Sequence, residues 1–86
     1  LRRGYDAAIG KIGNAEVDFI ATTADEKMYI QVTESMMSED VRKRELSPLQ
    51  SIRDNYEKIV LSLEPGLDAS YDGIKSENLI DWLLSE

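Results

Sequence analysis

Five polar residues stand where neighbouring strands would bring them together: Lys11, Glu16, Asp18, Gln31 and Thr33. Gly13-Asn14 reads as a tight hairpin turn with glycine leading. That turn sets Ile12 opposite Ala15, Lys11 opposite Glu16 and Ile9 opposite Asp18. A second loop over 23–26 sets Thr22 opposite Lys27, and hence Asp18 opposite Gln31 and Glu16 opposite Thr33. Opposed Cβ atoms in such pairs stand about 5 Å apart and share a face. Two carboxylates and a lysine so placed would hold magnesium and position a water for attack. The same pattern also describes a solvated sheet face, with Lys11 and Glu16 as a cross-strand ion pair contributing under ~1 kcal/mol. Ile12 and Ile20 share that face, which points to partial cover. Val17, Phe19, Ala21, Met28, Ile30 and Val32 make up the other face and read as core.

The elements that must carry these residues are readable from periodicity. Leu1 to Arg3 followed by Gly4 reads as the tail of a helix, with cations in its last turn. Tyr5–Ile12, Ala15–Thr22 and Lys27–Glu34 alternate as strands, giving an antiparallel meander. Ser38 is placed to cap a helix, with Glu39 and Asp40 in its first turn. Val41, Leu46, Leu49, Ile52 and Tyr56 form that helix's apolar stripe, which Pro48 should interrupt or restart with Ser47 as a second cap. Ile59–Leu63 reads as a buried strand that returns to the same sheet through a right-handed crossover. Pro65–Gly73 reads as loop. Ser76 is expected to cap a final helix through Leu84, whose Leu79, Ile80, Trp82 and Leu83 close the core. The expected order is therefore the end of a helix, three strands, a helix, a strand and a helix: a small α/β fold. No repeat or low-complexity tract is present.

Composition narrows the chemistry. The chain has 86 residues, so one domain over 1–86 is expected. It contains neither cysteine nor histidine, which removes disulfides, thiolate or imidazole metal ligands and His-based triads. Seventeen acidic residues against ten basic ones, a net charge of −7, work against a general grip on a nucleic-acid backbone. Arg42, Lys43 and Arg44 form a local basic cluster that either meets a phosphate or is a solvated helix face. Met36-Met37 reads as a connector packing on the core or as an adaptable contact surface. No apolar run is long enough to span a membrane, and a cytoplasmic location is expected. The start at Leu1, without an initiator methionine, reads as a piece of a longer chain or as a chain whose start was processed.

Leu1-Arg-Arg-Gly-Tyr5, Gly10-Lys11, Glu16-Val17-Asp18-Phe19 and Tyr29-Ile30-Gln31-Val32 together resemble the C-terminal domain of a bacterial and archaeal family of AAA-type ATPases. Arg44-Glu45-Leu46, Leu49-x-x-Ile52-x-Asp54-Asn55-Tyr56, Asp72-Gly73-Ile74-Lys75 and Asn78-Leu79-Ile80-Asp81-Trp82-Leu83 extend the resemblance over nearly the whole chain. In that family a P-loop ATPase module precedes a C-terminal domain similar to the restriction-endonuclease-like, PD-(D/E)XK, fold. The resemblance implies helix, three strands, helix, strand, the order read above with its first helix cut short. It implies that Asp18 matches the metal-binding aspartate of the second strand. Gln31 stands where the second carboxylate belongs and Thr33 where the lysine belongs. A neutral amide weakens magnesium binding, and threonine does not polarise a water as lysine does. Lys11 and Glu16 are the residues that would substitute for the lost pair.

Two functions follow as expectations. One is a non-catalytic accessory domain with a degenerate metal site, docking on its N-terminal ATPase module or on a protein partner. The alternative is a magnesium-dependent nuclease using Asp18, Gln31, Glu16 and Lys11, or a DNA-binding domain that does not cleave and uses Arg42 and Arg44. No Gly-rich phosphate loop is present, so no cofactor is expected here beyond magnesium in the nuclease case, and ATP binding would belong to the parent chain.

Overall fold

A computed structural model describes residues 6–12, 15–64 and 69–84, with the side chains of residues 11, 12, 15, 16 and 69 outside the description. The chain runs β1 (Asp6–Ile12), β2 (Ala15–Thr22), β3 (Lys27–Thr33), α1 (Glu39–Gln50), β4 (Glu57–Ser62), β5 (Ala69–Tyr71), β6 (Ile74–Asn78) and α2 (Leu79–Leu84). The strands form one mixed sheet in the order β1-β2-β3-β4-β6-β5. β1, β2 and β3 make the expected antiparallel meander, and β4 returns beside β3 in parallel after α1. The helix tail expected over 1–3 and the Gly13-Asn14 turn lie outside the described residues.

β4 is the centre of the sheet because its sequence suits burial on both faces: Ile59, Val60 and Leu61 are all fully buried. Alternation along β3 and β4 divides the core in two. Tyr29 and Val60 pack with Leu46 and Leu49 of α1, together with Val17, Met36, Ile52 and Ile74. Met28, Ile30, Ile59 and Leu61 pack with Ala21 and Trp82 of α2. The helices therefore cover opposite faces of the sheet.

Several expectations are corrected. Val17 does not share a face with Ala21 and Met28, because the β1–β2 register slips by one residue between Ala8 and Gly10. Asp18 and Phe19 together face Ile9 there, so alternation breaks and Val17 joins the α1 side. Gly10 sits at the slip because a Cβ there would overlap the Ile20 side chain and press on Val17 Cγ2 at 2.9 Å.

Ser38 caps α1 as expected, its side chain accepting the N–H of Val41. Pro48 does not interrupt the helix. It falls in the last turn, where it removes a single intrahelical bond, and Ser51 N still donates to Ser47 O. Ile52 is buried just beyond the helix end, whereas Tyr56 is exposed in the following loop.

The stretch read as loop holds β5, and Ser76 belongs to β6 rather than to a helix. Buried Ile74 and Ser76 alternate with exposed or half-buried Lys75 and Glu77, a strand period. The β5–β6 turn uses Asp72 and Gly73 at φ 53° and 83°, the backbone that Asp-Gly hairpins favour. Asn78 takes over the cap of α2, its Oδ1 accepting the N–H of Asp81 at 3.0 Å. Trp82 is buried as expected, but Ile80 and Leu83 point outward and do not close the core.

Candidate functional site

The residues that would carry metal chemistry meet at the end of the β2–β3 ladder. Regular pairing runs from Thr22↔Lys27 to Phe19↔Ile30 and stops there. Beyond it, side chains replace the backbone ladder. The Asp18 N–H donates to Gln31 Oε1 at 2.7 Å, and the Asp18 carboxylate Oδ2 accepts the Val32 N–H at 2.9 Å. Gln31 Nε2 reaches the Glu45 carbonyl of α1 at 3.4 Å. Gln31, only 6% exposed, thus ties β2 to both β3 and α1. The β2–β3 ladder ends at Phe19↔Ile30, so the Asp18 N–H takes Gln31 Oε1 in place of a backbone carbonyl.

Asp18 and Gln31 are therefore brought together as their spacing implied, but through backbone hydrogen bonds. Lys11 pairs with Glu16 in the β1–β2 register as expected; their side chains lie outside the described residues. The expected Glu16↔Thr33 pairing is not part of the β2–β3 ladder. Thr33 is opposite Ser62 of β4, and its hydroxyl donates to Ser35 O at 3.3 Å.

Glu45 is a carboxylate the strand pattern did not point to. Burial pushes its carboxyl up, the Asp18 charge adds to this, and Arg44 opposes both. The Asp18 charge thus reaches Glu45 across the α1–β2 boundary. Among the described residues no three carboxylates form a metal-holding group. Of the described donors, Oδ2 of Asp18 and Oε1 of Gln31 each accept a backbone N–H, and Gln31 brings no charge to a cation.

The basic cluster is engaged locally. Arg42 Nη1 donates to the Met36 and Met37 carbonyls, both at 3.1 Å. Lys43 pairs with Glu39 at 3.5 Å and Arg44 with Glu45 at 3.7 Å. Met36 packs in the core as a connector residue, and its N–H donates to the Glu64 carboxylate. Met37 is exposed.

A second polar cluster, absent from the sequence reading, lies at the opposite ends of β3 and β4. Tyr29 OH donates to Asp54 Oδ2 at 2.5 Å, and Lys58 Nζ donates to Asp54 Oδ1 at 3.1 Å and to the carbonyls of Asp54 and Tyr56 at 3.0 Å. Burial and the Asp54 hydrogen bond push the Tyr29 hydroxyl up to about 12. Burial also pushes the Asp54 carboxyl up, but hydrogen bonds from Tyr29 and Lys58 outweigh it and hold the group below its ordinary value. Lys27 Nζ lies 5.3 Å from the Tyr56 ring centre, and the Tyr56 ring meets Tyr29 edge-on. Shallow concavities of about 230 and 310 Å³ flank Tyr56 and Glu57. Tyr29, Asp54 and Lys58 satisfy one another, and the cluster anchors the α1–β4 loop. No periodicity could have found it, because Asp54 and Lys58 meet Tyr29 only through the sheet.

An 84-residue stretch, 98% of the chain, is 39% identical to an uncharacterized protein of Haemophilus influenzae and covers 20% of that protein. The chain thus spans about a fifth of the length of that relative. No family model matches the chain, and no solved structure matches it.

Proposed function

We propose that this chain is an accessory module of a larger AAA-type ATPase, with a restriction-endonuclease-like fold whose metal position has become a structural link. The observation that carries this reading is the reciprocal pair at Asp18 and Gln31. The aspartate that the nuclease pattern would commit to a metal accepts the Val32 N–H instead, and a neutral amide fills the second carboxylate position. The order β1-β2-β3-β4, with β4 parallel to β3 after α1, supports the nuclease-like fold. The length of the Haemophilus relative supports membership in a longer chain. In this reading the module works by docking on its ATPase partner or on another protein and regulating it, in the cytoplasm. Among the described residues no helix is long and apolar enough to cross a membrane. DNA is disfavoured as a ligand by the net charge of −7.

Titration calorimetry with magnesium and manganese, on this chain and on Asp18→Ala, tests the reading. It expects no binding heat from either protein at millimolar metal. Binding by the parent sequence that disappears in Asp18→Ala would establish the nuclease alternative.

A further inference from the structure

α2 is apolar on both sides. Leu79 and Trp82, one turn apart, face inward, where Trp82 is buried among Ala21, Met28, Ile30, Ile59 and Leu61. Ile80, Leu83 and Leu84 follow the i, i+3, i+4 spacing of a second face and are 54%, 40% and 79% exposed. Asp81 is the helix's only polar residue. Scattered exposed aliphatic side chains need no explanation, but three on one face do. A helix whose outer side is also largely apolar ordinarily meets another apolar surface. Among the described residues, nothing encloses Ile80, Leu83 and Leu84.

Two observations choose the occupant. A second copy would bring one net charge of −7 against another, which opposes self-association. The matched Haemophilus protein has four fifths of its length outside the matched stretch, so a related chain holds ample protein to cover this face. We propose that Ile80, Leu83 and Leu84 form the surface through which this module docks on the remainder of its own longer chain, against an apolar patch there. The proposal rests on the accessory-module reading and names the surface that reading requires.

The test uses the absence of cysteine from these 86 residues, which makes Leu83→Cys or Leu84→Cys a unique thiol in the module. Maleimide labelling rates, read by peptide mass mapping, are compared between the isolated chain and the full-length protein that contains it. Docking predicts labelling about tenfold or more slower at both positions in the full-length protein, with Asp25→Cys in the β2–β3 loop unchanged. Leu84→Cys changes the most exposed of the three side chains, so its result does not depend on core packing. Equal rates in the two proteins overturn the proposal. Slow labelling in the isolated chain, accompanied by a dimer in sedimentation, overturns it in favour of a second copy. A natural gene product of about 9.7 kDa, seen by immunoblot, would instead remove the accessory-module reading itself.

Discussion

Gln31 Oε1 accepts the Asp18 N–H at 2.7 Å, while one residue further along β3 the Val32 N–H donates to the Asp18 carboxylate at 2.9 Å. Each strand thus lends the other a side chain where the ladder has run out. Gln31→Glu keeps an acceptor for Asp18 N–H, loses the donor to Glu45 O, and adds a buried negative charge near Asp18 and Glu45. The expected result is a loss of about 1–3 kcal/mol at neutral pH, recovered in part on acidification. Urea unfolding at two pH values reads both. An increase in stability with magnesium in this variant would instead mean that the site is one substitution from metal binding.

The Tyr29–Asp54 hydrogen bond is buried at its tyrosine end and charged at the other. Tyr29→Phe is expected to lower stability by about 1.5–3 kcal/mol, as for other bonds to charged groups. Because the folded-state Asp54 carboxyl lies below its ordinary value, its contribution is present above the unfolded value of about 3.9. It is lost as pH falls through the lower folded value. Asp54→Asn should remove this part of the acid dependence, which thermal melts across the acid range would show.

Glu45 carries the opposite sign. Its folded-state carboxyl is raised by burial and by Asp18, so ionising it costs stability. That cost is absent below the unfolded value, about 4.3, and complete above the folded one. Glu45→Gln is expected to raise the melting temperature at neutral pH and leave it unchanged in acid. A lower melting temperature at neutral pH would mean that the Arg44 pairing outweighs the burial.

Much of the frame was legible in the sequence. The meander, the Ser38 cap and the parallel return of β4 follow from alternation, capping chemistry and the apolar run at Ile59–Leu61. The bulge was not legible, because nothing in Glu16-Val17-Asp18-Phe19-Ile20 announces an extra residue. Gly10 was its one trace, meaningful only once β1 lies against Ile20. Asp72-Gly73 and the alternation of Ile74 to Glu77 did carry a hairpin signal, outcompeted by Ser76, which resembles a helix cap. Asp18 and Gln31 were placed side by side correctly, but their bonding depends on where the ladder ends, and residue types do not state that.

Gly10→Ala tests the close approach at the bulge. Its methyl must displace Ile20 and Val17, both packed in the α1-side core. A loss of about 1–3 kcal/mol is expected from overpacking, and Gly10→Ala combined with Ile20→Val should recover part of it. Denaturant unfolding of the single and double variants provides the comparison.

In the proposed reading Asp18 holds the sheet together and does not hold a metal. Thermal melting of the parent chain and of Asp18→Ala, each with and without millimolar magnesium or manganese, tests it most directly. The expected result is a lower midpoint for Asp18→Ala and the same midpoint for the unsubstituted chain with or without metal. A midpoint that rises with metal in the parent chain only, together with an Asp18→Ala variant at least as stable as its parent in metal-free buffer, would contradict it.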